Sequence, residues 1–544
     1  MAVTRVNGIL FRKMVINGTV NLKNNYQEID ELNVFPVPDG DTGTNMQMTM
    51  TAGIKEIKDM PTKSLLEISK MLSRGLLMGA RGNSGVILSQ FFRGIHDGLS
   101  KIANGSASIK EFADSLENGS KMAYRAVMDP KEGTILTVVR EAAEKVQSNL
   151  TNYKDIESLL QAYIEYAHVS LENTPNLLPV LKEANVVDSG GAGFIKIVEG
   201  MLKALKGEFI TLKENIATTN TNGILSLENV DIKFAYCTEF VLELREVAKF
   251  SESLLKDPYS SLGDSIVVVQ DDNICKVHIH TNNPGSVMSI AQEFGDFLSM
   301  KVENMKLQHN EIVKEKPKEV KKMPKQKYAF IAVCTGEGIK NTFKELGVDF
   351  IIDGGQSMNP STEDFVNVID EVNADNIIIL PNNSNIILAA EQSIRLRPNR
   401  KIQVLKNKSI ASGYASLMNF DISKSMDVNM KKMAEVIAKI NYGEITYSIR
   451  NTEFHGMKIK EGDYMGFVKG EIVSVKECRI DAVKELIDKI VSPDHEILTL
   501  FYGADVEDAE VTEVSHYITE NFSHIELELI EGNQEIYTYI VAAE

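Results

Sequence analysis

The chain has 544 residues, 43% hydrophobic and 25% charged, an ordinary globular composition with room for about three or four domains. Its 76 acidic against 58 basic residues give a net charge of −18, which argues against nucleic acid as the main partner. Cys237, Cys275, Cys334 and Cys478 stand without CxxC spacing, no apolar run reaches the roughly 18 residues of a membrane span, and Met1 to Arg12 lacks a signal-peptide pattern; a reducing, cytoplasmic setting is expected.

Asn7 is placed to cap a helix whose Ile9, Leu10, Met14 and Val15 fall near helical spacing. That helix should end before Leu32-Asn33-Val34-Phe35-Pro36-Val37-Pro38-Asp39-Gly40-Asp41-Thr42-Gly43-Thr44-Asn45-Met46. The two prolines hold the approach extended, and Gly40 and Gly43 allow tight bends. Asp39 and Asp41 can then face one hard cation, with Thr42, Thr44 and Asn45 adding oxygen or amide ligands. A bare Asp-Gly-Asp is more often a surface turn. The Pro-Val-Pro approach and the polar run after it favour a magnesium and nucleotide loop.

Ser64 opens a further helix with Leu65, Ile68, Leu72 and Leu76 on one face. Met78-Gly79-Ala80-Arg81-Gly82-Asn83-Ser84-Gly85 then reads as a flexible loop feeding a helix from Val86, with Ile87, Phe91 and Ile95 every fourth residue. Free backbone N–H groups and the positive helix end suit an anion there, and Arg81 and Ser84 add donors; glycines serving only helix packing are the plainer alternative. Asp129-Pro130-Lys131-Glu132-Gly133-Thr134 and Val187-Asp188-Ser189-Gly190-Gly191-Ala192-Gly193 are two more such loops before apolar helical runs. Four loops of this kind suggest a helical bundle gripping a metal nucleotide at one end, and the absence of GxxxxGK[ST] rules out a P-loop.

These motifs, Asn33 to Met46, Gly79 to Gly85 and Val187 to Gly191, resemble the nucleotide-binding domain of the dihydroxyacetone kinases over about 200 residues. The resemblance implies an all-α eight-helix antiparallel barrel holding ATP and two Mg2+ ions. It carries the family's aspartates onto Asp39 and Asp41 and its phosphate loop onto Gly79, Ala80, Asn83 and Ser84. The family's third aspartate lies five residues before the first of the pair, where this chain has Val34; Asn33 is the nearest ligand-capable residue.

After the polar tract Ala217 to Gly223 the pattern turns to period two. Phe234 to Leu242 reads as a strand with Cys237 and Glu239 on one face, and Ser265 to Gln270 with Ile274 to Thr281 as a hairpin turning at Asp271-Asp272-Asn273. Cys275, Val277 and Ile279 then share one face, and Lys276, His278 and His280 the other. Two histidines about 7 Å apart along a strand can chelate a transition metal with Cys237, or one can donate to a transferring phosphoryl group; a packed or solvated pair is the alternative. Over its whole length the chain resembles the ATP-binding subunit of bacterial fatty acid kinase. That resemblance implies a catalytic or Zn2+-binding cluster of Cys237, His278 and His280.

Lys314 to Lys325 reads as a charged tether. Beyond it Tyr328 to Cys334 and Asn376 to Leu380 read as strands alternating with helical patterns such as Glu363 to Val372, an α/β sheet. Its loops Thr335 to Gly338, Gly354 to Ser361 and Pro381 to Asn385 lie where ligands sit in such sheets. Ser357-Met358-Asn359-Pro360-Ser361 resembles the turn with which DegV-type fatty-acid-binding proteins hold a carboxylate; docking is favoured over a second lipid pocket.

The expected fold is thus multi-domain: a helical ATP and Mg2+ domain over 1–206, an α+β middle domain over 207–312, a linker over 313–327 and a DegV-like α/β domain over 328–544. The expected activity is phosphorylation of a fatty acid presented by a separate fatty-acid-binding DegV-family protein, in a homodimer, with Asp39, Asp41 and Asn33 on Mg2+. Thr42, Gly43, Thr44, Asn45, Gly79, Ala80, Asn83, Ser84, Gly133, Thr134, Asp188 and Gly190 hold ATP, and Arg81 joins Cys237, His278 and His280 in catalysis. A dihydroxyacetone-type small-molecule kinase and a non-catalytic nucleotide-sensing scaffold are the alternatives.

Overall fold

The computed structural model describes residues 2–33, 40–102, 105–128, 130–212, 234, 236–245, 247–251, 253–271, 273–304, 325–355, 358–454 and 456–544. The prolines of the first loop with Asp39, the polar tract at 217–223 and the tether up to residue 324 lie outside these.

The first region is helical: α1 Gly8–Lys23, α2 Tyr26–Glu31, α3 Thr42–Ile57, α4 Leu65–Met78, α5 Gly82–Leu99, α6 Ile109–Ala126, α7 Ile135–Ser148, α8 Ile156–Leu177, α9 Pro179–Glu183 and α10 Ser189–Leu205. Local chemistry starts these helices where the chain pattern places them. Asn7 caps α1 by accepting the Leu10 N–H at 2.9 Å, and Ser64 caps α4 by accepting from Glu67 at 3.3 Å. Leu65, Ile68, Leu72 and Leu76 are all buried, as one apolar stripe on a helix requires. Each long helix from α3 to α8 packs on the next, α8 packs on α10, and α10 packs on α1. Their apolar faces meet in a single cluster that includes Phe11, Met46, Phe91, Phe112, Tyr163 and Phe194.

Three of these helices start earlier than the glycines suggest. The α5 helix begins at Gly82 rather than after Gly85, α3 takes in the polar run from Thr42, and α10 takes in Ser189 to Gly193. The glycines are there because neighbours crowd the helix: a Cβ on Gly85 would fall 2.3 Å from the Thr49 hydroxyl oxygen, and one on Gly193 would fall 2.9 Å from the Met46 sulfur.

Residues Asn215–Met323 cluster as a unit of their own, while Met1–Glu214 and Pro324–Glu544 together form one compact unit. The smaller unit is an antiparallel sheet of β3 Tyr236–Leu244, β4 Gly263–Asp271, β5 Ile274–Thr281 and β6 Gly295–Asn304 in the order β4-β5-β3-β6, with helices α11 Ser253–Tyr259 and α12 Pro284–Gln292. Phe240, Leu242, Cys275, Val277 and Ile279 are buried, the alternation expected of a sheet covered on one face.

The last region has two lobes. A parallel sheet of four strands, Gln326–Cys334, Phe350–Asp353, Ala374–Leu380 and Ile402–Val404, places the first strand between the second and third. A six-stranded mixed sheet then includes Asn441–Tyr447, Ile497–Tyr502, Glu526–Glu531 and Tyr539–Ala543. The expected strands, the helix at 362–371 and the closing helix and strand are found, the helix Asp508–Asn521 among them. No described helix is long and apolar enough to cross a membrane.

Candidate functional site at the helix N-termini

Four helices begin in the motif loops. Asp188 is the N-cap of α10 and accepts the Gly191 N–H at 2.7 Å. Thr134 precedes α7; the Gly133 N–H, in a backbone turn with φ +83°, donates to Thr137 at 2.8 Å. Gly82, with φ +56°, opens α5, where a Cβ would fall 2.5 Å from the Asn45 amide nitrogen of α3. Only glycine fits both the left-handed backbone and that approach. The Arg81 N–H donates to Thr49 of α3 at 3.2 Å, and a Cβ on Gly190 would lie 3.2 Å from Ile135 of α7. The starts of α3 and α5 are thus neighbours, those of α7 and α10 are neighbours, and Gly193 against Met46 joins the two pairs. Four positive helix ends with N–H groups lacking intrahelical partners gather at one end of the helical region.

Within this cluster Asp41, Thr42, Gly43, Thr44, Asn45, Gly79, Ala80, Arg81, Asn83, Ser84, Gly133, Thr134, Asp188 and Gly190 occupy the loops or first turns just described. Asp39 lies outside the described residues. Asn33 lies beside Gly40, 3.7 Å from where a Cβ there would stand, and its carbonyl accepts from Arg450 at 2.5 Å. Asp41 is the N-cap residue of α3 yet makes no side-chain capping bond. That task falls to Asp30 at the end of α2, which accepts the Gly43 N–H at 2.6 Å, the Thr44 N–H at 3.2 Å and the Thr44 hydroxyl at 2.8 Å. Burial raises the Asp30 carboxyl above its ordinary value despite these bonds. Burial likewise pushes Asp188 up to about 6, against the lowering effect of the Gly191 and Ile135 N–H groups.

Sequence reasoning missed Asp30, whose short helix carries too few residues for a period to show. It also missed the last region's contribution: the Asn359 amide donates to the Asp41 carboxylate, and its carbonyl accepts from Arg81 at 2.8 Å.

In the smaller unit the strand register sets Cys237 opposite His280 and Glu239 opposite His278. Directly opposed residues in an antiparallel pair stand about 5 Å apart. The same row continues to Asp264 on β4 and Glu303 on β6. Among the residues whose side chains are described, no three His, Cys, Asp or Glu gather as a metal-binding group. Between the two lobes of the last region, a cavity of about 50 Å3 is lined by Cys334, Thr335, Gly354, Asn382 and Gln534, at the strand-end loops named in the sequence; small-molecule sites run to about 300–1,000 Å3.

Comparison with known proteins agrees with this layout. Family models match over residues 36–203 (DAK2 domain), 233–312 (FakA-like fatty acid kinase, middle domain) and 329–544 (FakA-like fatty acid kinase, C-terminal). The helical head and its site therefore define a kinase-type protein with a DAK2 domain, a class that implies use of ATP. The chain belongs to the FakA-like fatty acid kinase family. It is 41% identical over 556 residues, 100% of each chain, to Protein YloV of Bacillus subtilis (strain 168). It is also 41% identical over 554 residues, again 100% of each, to an uncharacterized protein of Staphylococcus aureus (strain USA300). The solved structure of the Streptococcus pneumoniae fatty acid kinase B3 protein loaded with linoleic acid aligns to 40% of this chain and 99% of that chain at 11% identity and TM-score 0.29, a likeness too slight to carry an argument.

Proposed function

We propose that this chain uses ATP to phosphorylate the carboxylate of a fatty acid presented by a separate fatty-acid-binding protein of the DegV family, giving an acyl phosphate. The observation that supports it is the gathering of four helix N-termini around the Asp41 loop. A fatty-acid carboxylate is already ionised near neutral pH, so no base is needed to make the nucleophile. One carboxylate oxygen attacks the γ-phosphorus as the bond to the ADP oxygen breaks. The chain's part is to offset repulsion between anions and to hold the phosphates in line.

The donor set fits a magnesium nucleotide: carboxylate at Asp41, the polar first turn of α3, and N–H groups at the starts of α5, α7 and α10. Asp39, Asp41 and Asn33 would hold Mg2+, which when bound supplies Lewis-acid neutralisation of developing phosphate charge. The residues from Gly79 to Ser84 bind phosphate through backbone N–H groups, and Arg81 adds a cation. Cys237, His278 and His280 assist transfer, either directly or on Zn2+. The helical domain over 1–206 closes as an eight-helix antiparallel barrel, 207–312 forms the middle domain, 313–327 the linker, and 328–544 docks the carrier. The protein works in the cytoplasm as a homodimer.

Phosphoryl transfer with ATP, a fatty acid and a lipid carrier tests this. Asp41→Asn is expected to lose both nucleotide affinity and turnover, and His280→Ala to keep affinity and lose turnover. Nucleotide binding with no turnover for any acceptor would leave a scaffold and refute the reading; turnover by His280→Ala would remove the middle domain from it.

A further inference from the structure

The end of the helical region that gathers these N-termini is covered by another part of the same chain. Met358–Thr362 and the helix Thr362–Glu371 of the last region lie against the start of α5. The Thr362 N–H donates to the Ala80 carbonyl at 3.1 Å, and Arg81 bridges to Ser361 through the backbone. The Arg81 guanidinium is taken up by the Asn359 carbonyl at 2.8 Å and stands 3.7 Å from the Asp364 carboxylate. Asn83 donates to Asn385 at 3.1 Å, and Gln90 to Gln392 at 2.9 Å. Beneath these polar contacts Ala80 and Val86 join Phe365, Ile352 and Ile386 in one apolar cluster, so the contact is packed as well as hydrogen-bonded.

Its centre conflicts with cation binding. The Asn359 Nδ2 group donates to an Asp41 carboxylate oxygen, the group proposed above to hold Mg2+. Mg2+ requires near-octahedral oxygen ligands at about 2.0–2.1 Å, and an N–H donor pointed at the same oxygen repels a cation there. The arrangement also leaves a polar group unsatisfied: Asn359 is 2% exposed and its Oδ1 has no hydrogen-bond partner. A buried acceptor without a donor opposes the contact that buries it. Arg81 is likewise held by the last region and turned to carbonyl and carboxylate oxygens instead of phosphate.

We propose that this is a self-docked state: the surface formed by Asp41, Ala80 and Arg81 binds the Met358–Thr362 segment of the chain's own last region, and docking and loading with a magnesium nucleotide exclude one another. Loading releases the segment, and the exposed surface is then open to an acceptor. The inference rests on the nucleotide reading of Asp41 and adds a mode of regulation to it.

Hydrogen exchange on the full chain, with and without saturating Mg2+ and ADP, tests both together. Thr362 is the first residue of its helix, so its N–H has no intrahelical partner and reports the bond to Ala80 directly. Loading is expected to slow exchange in the first turns of α3 and α5 and to speed exchange at Thr362 at least about tenfold. Slowed exchange in α3 and α5 with Thr362 unchanged or slower overturns the exclusion and leaves the nucleotide reading standing. No response at either end overturns both. As a second arm, Asn359→Ala, checked for folding by circular dichroism, is expected to bind Mg2+ and ADP about fivefold or more tightly, the lower end of ordinary coupling between two sites. Unchanged binding refutes the exclusion, and weaker binding makes Asn359 a contributor to the loaded site instead of its competitor.

Discussion

Asp188→Asn is the substitution whose effect the structure fixes most fully. The carboxyl sits at the start of α10, accepts the Gly191 N–H at 2.7 Å, and is pushed by burial up to about 6, against an ordinary aspartate value of about 3.9. A carboxyl raised in this way holds its proton more tightly in the folded chain. Stability therefore falls as pH climbs from about 4 to about 6 and is level above that range. The gap of about two pH units corresponds to about 3 kcal/mol, taken as an upper bound. Asparagine keeps an acceptor for Gly191 and carries no charge, so it stands in for the protonated acid at every pH. Urea unfolding of the full chain, followed by far-ultraviolet circular dichroism, should give equal midpoints for the two proteins at pH 4 and a higher midpoint for Asp188→Asn at pH 8. A difference that does not change between those pH values, or a less stable variant at pH 8, would refute the account of Asp188 as an ionised group held against its preference.

Asp30→Ala removes the acceptor shared by the Gly43 N–H, the Thr44 N–H and the Thr44 hydroxyl; it should cost about 1–3 kcal/mol in thermal unfolding and loosen exchange at Gly43 and Thr44. Gly79→Ala sets a Cβ 2.1 Å from the Ala52 Cβ, and the overpacking should lower stability by about 1–3 kcal/mol. Pairing it with Ala52→Gly should recover most of that loss, and no recovery would exclude the clash as the cause.

The features legible in the sequence are those written over a few neighbouring residues. Asn7 and Ser64 cap the helices they precede because a capping side chain and its N–H partner lie three residues apart. Ile274 to Thr281 was legible as a strand, since alternation is local, and the buried Cys275, Val277 and Ile279 follow from it. Glycine misleads for a physical reason: at Gly85 and Gly193 it meets a neighbouring helix, and the same lack of a side chain that suits a loop also suits a crowded helix start. Asn359 on Asp41 joins residues 318 positions apart, and no pattern along the chain records such a pairing. The Cys237 and His280 pairing falls between, since each strand was visible while their register depends on how two strands align.

The partners of the shared apolar cluster emerge from the ribosome far apart in time. Arg81 and Asn359 are 278 positions apart, which at roughly 5–20 residues per second is a wait of roughly 15 to 55 s during synthesis. Throughout that interval the start of α5 must stand uncovered on a head that can already have folded. Alanine and valine at positions 80 and 86, small enough to leave only a modest sticky patch, suit a face that meets water before it meets its own tail.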